Sequence, residues 1–225
     1  MTRTALALLL LSSVGCTSAT VLPSVAVEAR PSTHESSPPR ETAFVSTDTK
    51  PTAAPLRTVG DFVVFKFSGT YRKGALTLRE QIVGRQGDDL IVEFTFVDGA
   101  KKSTFRALTG AGAKSDLTGF TKLDTKGATI DASRDEFEAF MGKTVLAADD
   151  NEETLGTTTA DVDLAGKQYT AKTTAFRVRV GKTSATMKIT QADDFAWGDL
   201  GAEIVATDGT VLYRAELLEA GHVSE

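Results

Sequence analysis

Residues 59–225 predict a mainly β fold: a curved antiparallel sheet, half-barrel or open barrel, of about nine strands with one short packed helix. Three observations carry this expectation. Apolar residues recur at every second position through most of this region. The connections between the alternating runs are short and bear glycine, as antiparallel hairpins require. Only one window has helical spacing, and it is preceded by a capping signal. Glycine usage marks the region out, since 18 of the 19 glycines lie from Gly60 onward while all six prolines fall before residue 56.

The elements follow in order. In DFVVFKFSGTY, Val63, Phe65, Phe67 and Tyr71 share one face, with Lys66, Ser68 and Thr70 on the other. LTLREQIVGRQ sets Leu76, Leu78 and Ile82 opposite Thr77, Arg79, Gln81 and Arg85. DLIVEFTFVDG sets Leu90, Val92, Phe94 and Phe96 opposite Glu93 and Thr95, and STFRALT completes a meander. Strands of this kind have one buried and one wet face. Residues 110–132 are Gly-rich and admit a short strand near Thr118–Leu123. SRDEFEAFMGK then predicts the helix: Ser133 with Glu136 three residues on is a capping box, Phe137, Phe140 and Met141 form one stripe, and Gly142 ends it. Thr-rich, β-branched runs return the chain to strands, with hairpins turning at Gly181-Lys182 and Asp208-Gly209. A sheet of this size curls rather than lying flat. A bent sheet with one helix on its concave face resembles the half-barrel folds of periplasmic lipoprotein carriers, a likeness of strand pattern with no motif behind it.

The first 58 residues have another character. Arg3 and the apolar run Ala5–Leu11 have the layout of an export signal. The run is too short to cross a hydrocarbon layer, which takes about 20 residues. Ser13-Val14-Gly15-Cys16 resembles the lipobox of bacterial lipoproteins. That resemblance implies cleavage before Cys16 and a diacylglycerol on its sulfur, with palmitate-type acylation adding to a durable anchor. Leucine is usual in the family where Ser13 stands. Thr17, in place of the aspartate that signals retention in the inner membrane, implies the outer membrane. The chain therefore divides into a signal peptide (1–15), a lipidated cysteine with a Pro/Ser/Thr tether (16–58) and a single β-rich domain (59–225). A flexible tether of this length spans on the order of 35 Å.

Charge and motif content narrow the function. Without its leader the chain has 24 basic and 30 acidic residues, and the tether is balanced, so the domain is acidic. An acidic domain without a basic stripe repels phosphate backbones, which argues against nucleic-acid binding. Cys16 is the only cysteine, and His34 and His222 are the only histidines, so the chain offers no Cys/His or Ser/His constellation. GAGAKS at 110–115 lacks the spacing of a phosphate loop. Asp149, Asn151 and Glu153 alternate as calcium ligands do, but lack the glycine and distal glutamate of a calcium loop. The expectation is a non-catalytic, lipid-anchored envelope protein without metal or cofactor, serving as a structural or interaction module with an envelope protein partner. The alternative is a carrier holding a lipid or other hydrophobic ligand on the concave face, with Phe65, Phe67, Phe94, Phe96 and the loop residue Trp197 as the ligand face.

Overall fold

The computed structural model describes residues 55–224 apart from residues 114 and 165. Cys16, the lipobox and the tether up to residue 54 lie outside the described residues. The described chain forms an open, curved, antiparallel sheet of eleven strands with one short helix. The strands are β1 (Asp61–Ser68), β2 (Leu76–Gln86), β3 (Asp89–Asp98), β4 (Lys101–Thr109), β5 (Leu117–Leu123), β6 (Thr129–Asp131), β7 (Asp150–Leu164), β8 (Lys167–Val180), β9 (Thr183–Gln191), β10 (Asp199–Ala206) and β11 (Val211–His222), with α1 (Arg134–Met141) between β6 and β7. The sequence pattern counts nine. The two further strands are β5, on the short run at 118–123, and the three-residue β6, too short to have a period.

Spatial order is β6-β5-β4-β3-β2-β1-β11-β10-β9-β8-β7. Two meanders thus meet at β1 and β11, where Asp61 pairs with His222 and Ser68 with Arg214. At one end of this seam Gly69 adopts φ +124°, and a Cβ there would collide with the backbone of Leu212. Only glycine lets the chain turn that close.

The order has a topological consequence. β6 and β7 are consecutive in sequence but lie at opposite edges, so residues 132–149 must traverse the sheet. They do so over its core-side face. Phe137 packs its ring against Phe94 on β3, Phe105 on β4 and Phe120 on β5, with centroids 4.9, 5.9 and 5.0 Å away. Phe140 lies against Phe96 and Phe105. Farther along, the Thr144 carbonyl accepts the Tyr213 hydroxyl of β11 at 2.9 Å, and the Asp149 amide donates to Arg179 of β8 at 2.8 Å.

The helix starts as its capping signal predicts, with the Ser133 hydroxyl accepting from the Glu136 amide at 3.0 Å. The Glu136 side chain turns away from the cap to Lys122, 2.6 Å distant. Gly142 ends α1 in a right-handed conformation, φ −58°, and a 3-10 turn over residues 142–144 carries the chain on.

Candidate functional site

The carrier alternative places its ligand on the core-side face, and over the four phenylalanines the structure fills that face with its own chain. Phe65, Phe67, Phe94 and Phe96 all point into the core and are buried. Rings of α1 cover two of them directly: Phe137 lies on Phe94 and Phe140 on Phe96. A cavity of about 210 Å³ remains beside Phe96 and Phe140, walled by Leu76, Asp98, Lys101 and Lys143. That is below the roughly 300–1,000 Å³ of small-molecule sites. A larger, open cavity of about 450 Å³ lies away from the four phenylalanines, between residues 162–164 at the end of β7 and strands β9 to β11.

Trp197 stands apart from these phenylalanines, on the β9–β10 loop, with its ring 6.0 Å from that of Phe195. Phe195 in turn meets Tyr169 of β8 edge-on at 5.3 Å. The loop closes on itself through Ala192 and Gly198, whose backbones bond at 2.8 Å. It also reaches across the sheet, because a Cβ on Gly198 would sit 3.8 Å from the Ala113 Cβ on the β4–β5 loop. Four strands separate β4 from β10, about 24 Å in a flat sheet. Curling toward the core face is what brings these loops together.

Beneath them lies a polar group in an apolar register. Glu80 on β2 pairs with Val63 on one side and Phe94 on the other, both buried. Its parity therefore turns its carboxylate inward with Leu78 and Ile82. Glu80 retains some accessible surface, but the protein packed around it pushes its pKa up to about 7. Desolvation is the main cause, and the nearby charge of Asp199 acts the same way. The positive charge of Arg57 and the indole N–H of Trp197 oppose it. The Trp197 Nε1 is buried and makes no well-formed hydrogen bond among the described residues, so its N–H acts on Glu80 as a facing dipole. Asp199 is held by the Gln191 amide at 2.9 Å.

Arg57 falls within the segment assigned to the tether by composition, yet it is buried and belongs to this cluster. Its guanidinium clamps the β4–β5 loop, donating to the carbonyls of Gly110 at 2.9 Å and Gly112 at 2.6 Å. Burial lowers its pKa and Glu80 pushes it back up. The cluster is thus a charge pair too far apart for an ion pair, enclosed by two loops. It can bind or release a proton near neutral pH. Sequence reasoning missed both residues, although Glu80 had a signal: a carboxylate at a core-parity position in an otherwise alternating strand.

The other predicted polar groups are dispersed. Asp149 accepts from the Gly181 amide, Asp150 pairs with Arg179 at 2.6 Å, and Glu153 pairs with Arg177. The acidic run at 149–153 therefore fastens β7 to β8. His222 lies on the surface, its Nδ1 2.8 Å from Asp61. No His, Cys, Asp and Glu grouping suited to a metal occurs among the described residues, and no helix there is long and apolar enough to cross a membrane.

No protein-family model matches the chain, and no curated protein matches it in sequence. Among solved structures, it is similar to MucB, at 10% identity and a TM-score of 0.41, over 73% of this chain and 54% of that one. The Pseudomonas aeruginosa MucA/MucB complex is similar at 10% identity and a TM-score of 0.39, over 73% of this chain and 52% of that one. An exported protein with a YmcC-like fold from Bacteroides fragilis is similar at 9% identity and a TM-score of 0.33, over 74% and 97%. The chain spans about half the length of the MucB structures it matches. With TM-scores this low, none of these likenesses bears on function.

Proposed function

We propose that this chain is a lipid-anchored protein of the bacterial outer membrane whose β domain is a non-catalytic interaction module. One structural observation carries the reading of the domain: residues 132–149 occupy the face that a carrier would keep open. Phe94 and Phe96 are covered by rings of the same chain, and the space left beside them is about 210 Å³. The surfaces available to another molecule are then the outer face, the edges of the sheet and the open cavity between the end of β7 and strands β9 to β11. The anchor rests on the likeness of Ser13-Val14-Gly15-Cys16 to a lipobox, and the tether on the Pro/Ser/Thr composition of the residues between Cys16 and Arg57, since Arg57 is held in the domain.

Intact mass and membrane fractionation of the wild type and of Cys16→Ser test the anchor. The wild type should sediment with outer membranes and carry acyl mass, and Cys16→Ser should lose both. A wild type that is free of acyl mass and stays in the supernatant sinks the anchor. For the domain, the organic extract of the purified protein should contain no stoichiometric lipid. A lipid found at one per chain would revive the carrier.

A further inference from the structure

The two edges of the sheet are unlike. On one side the sheet ends in β6, three residues long. On the other it ends in β7, fifteen residues long, with no strand on its outer side among the described residues. An edge strand presents unpaired N–H and C=O groups, and proteins blunt such edges with short strands, prolines, lysines or bulges. β6 is blunted by length. The first part of β7 is blunted by two bulges, at Glu152 and Leu155, where the register with β8 shifts. From Gly156 to Leu164 the pairing with Ala175 to Lys167 runs without a break, and this stretch holds no lysine and no proline.

Burial does not explain this strand. Of its residues only Val162 and Leu164 are less than exposed, and only Leu164 reaches the core. Ordering each residue costs roughly 1–2 kcal/mol of entropy that apolar contact here does not offset. Its charge points to one kind of partner. β7 carries five carboxylates and no basic side chain. Asp150 and Glu153 are neutralised by arginines of β8, whereas in the unbroken stretch Asp161 accepts only from Thr170. Asp163 has no hydrogen bond or ion pair among the described residues. A strand added to this edge would lie about 4.8 Å from β7 and twice that from Lys167 and Lys172 on β8. Lys188 and Arg214 share a cavity with Asp163, but both are paired with Glu203, at 3.4 and 3.2 Å, so the added strand meets the aspartates first.

We propose that the outer edge of β7, over residues 156–164, docks an extended basic segment of another envelope protein by strand addition. The proposal rests on the interaction-module reading and gives that module its surface. A second copy of this chain is a poorer occupant. Self-pairing would gather Asp161 and Asp163 of both chains on one ribbon, a like-charge juxtaposition that a basic segment avoids.

The full chain, purified in neutral detergent, is titrated with a synthetic nine-residue peptide alternating lysine and valine, and with one alternating glutamate and valine. The lysine peptide should bind saturably and slow amide exchange within residues 156–164, and the glutamate peptide should do neither. The double variant Asp161→Lys/Asp163→Lys should weaken binding by about tenfold or more. Thr159→Lys, which adds an edge lysine, should weaken it as well, with the circular dichroism of both variants unchanged. Slowed exchange elsewhere, equal binding of the two peptides, or a peptide-free dimer that protects residues 156–164 would overturn the proposal. Should a variant misfold, the wild-type exchange map still decides. A chain found free of the membrane would remove the anchor and leave the peptide result standing. A chain that is anchored but binds neither peptide would do the reverse.

Discussion

Strands β2 to β4 and strands β7 and β8 are written in the same two-residue period, and they end in different surroundings. In β3 every inward residue from Leu90 to Phe96 is buried. In β7 no residue is fully buried, and β8 buries only Ala171 and Val178. The difference lies in what crosses over them. Phe137 and Phe140 lie on β3, β4 and β5, whereas the same crossing segment touches β8 only near its end, through the Asp149 amide. Alternation makes a strand, and the path of the crossing segment decides which strands become core. One side of the sheet is then a packed scaffold, and the far side ends in a hairpin that buries few of its residues.

The contrast is broken most severely at its centre. Phe137→Ala removes a fully buried ring that contacts three strands and leaves a cavity, at a cost of about 3–5 kcal/mol. Chemical denaturation should show that loss as a lower midpoint. Leu155→Ala, on the bulge of β7 with Leu155 43% exposed, should change the midpoint by less than about 0.5 kcal/mol. Comparable losses from the two would erase the distinction between scaffold and hairpin.

The next largest effect belongs to Glu80, a charge inside the scaffold half. Its pKa is about 7 in the folded protein, against the ordinary 4.5 of an exposed glutamate. The folded state therefore keeps a proton that the unfolded chain has released. Its stabilising contribution is complete below pH 4.5, falls as pH rises through 7, and is gone above that. The swing is roughly 2–3 kcal/mol, toward the lower figure because the residue retains some exposure. Glu80→Gln should flatten stability between pH 4.5 and 8. An unchanged slope in that variant would place the titration elsewhere.

Ser133→Ala comes third. It leaves the Glu136 amide without its cap and should cost about 1 kcal/mol. Because the helix leads the chain onto the core face, the loss should appear in global unfolding and not only in helix fraying.

Much of the scaffold was legible because one face of each strand is apolar and period 2 reports it directly. Val63, Phe65 and Phe67, and the set Leu90 to Phe96, are buried as their spacing predicts. The capped helix was legible for the same reason, since Ser133 and Glu136 act within one turn. What could not be read is what depends on distance along the chain. Nothing local says that β6 and β7 lie at opposite edges, so the filled core face was not visible and the four phenylalanines read equally well as a ligand face. Arg57 was hidden because its four acceptors come from residues 109–112, far along the chain. Glu80 was different. Its parity alone contradicted the pattern around it, and a carboxylate set between Leu78 and Ile82 marks either strain or function.

The smallest predicted effect sharpens the comparison most finely. Arg177 and Glu153 pair across the β7–β8 hairpin, with their side chains 51% and 53% exposed. An exposed pair holds two long side chains in one geometry against solvent screening, and contributes about 0.2–1 kcal/mol at most. Arg177→Ala should therefore leave the global denaturation midpoint unchanged within error. It should nonetheless speed amide exchange near Glu153 and Thr154, because β7 is an edge strand whose local opening is opposed by contacts on one side only. The same type of pair on the scaffold, Arg106 with Glu93 at 2.8 Å, lies over a buried sheet face. Arg106→Ala should not speed exchange on β3, since opening there exposes Phe94 and Phe96. Faster exchange at both sites would mean that the two regions open together, and the hairpin would then be part of the scaffold rather than an appendage to it.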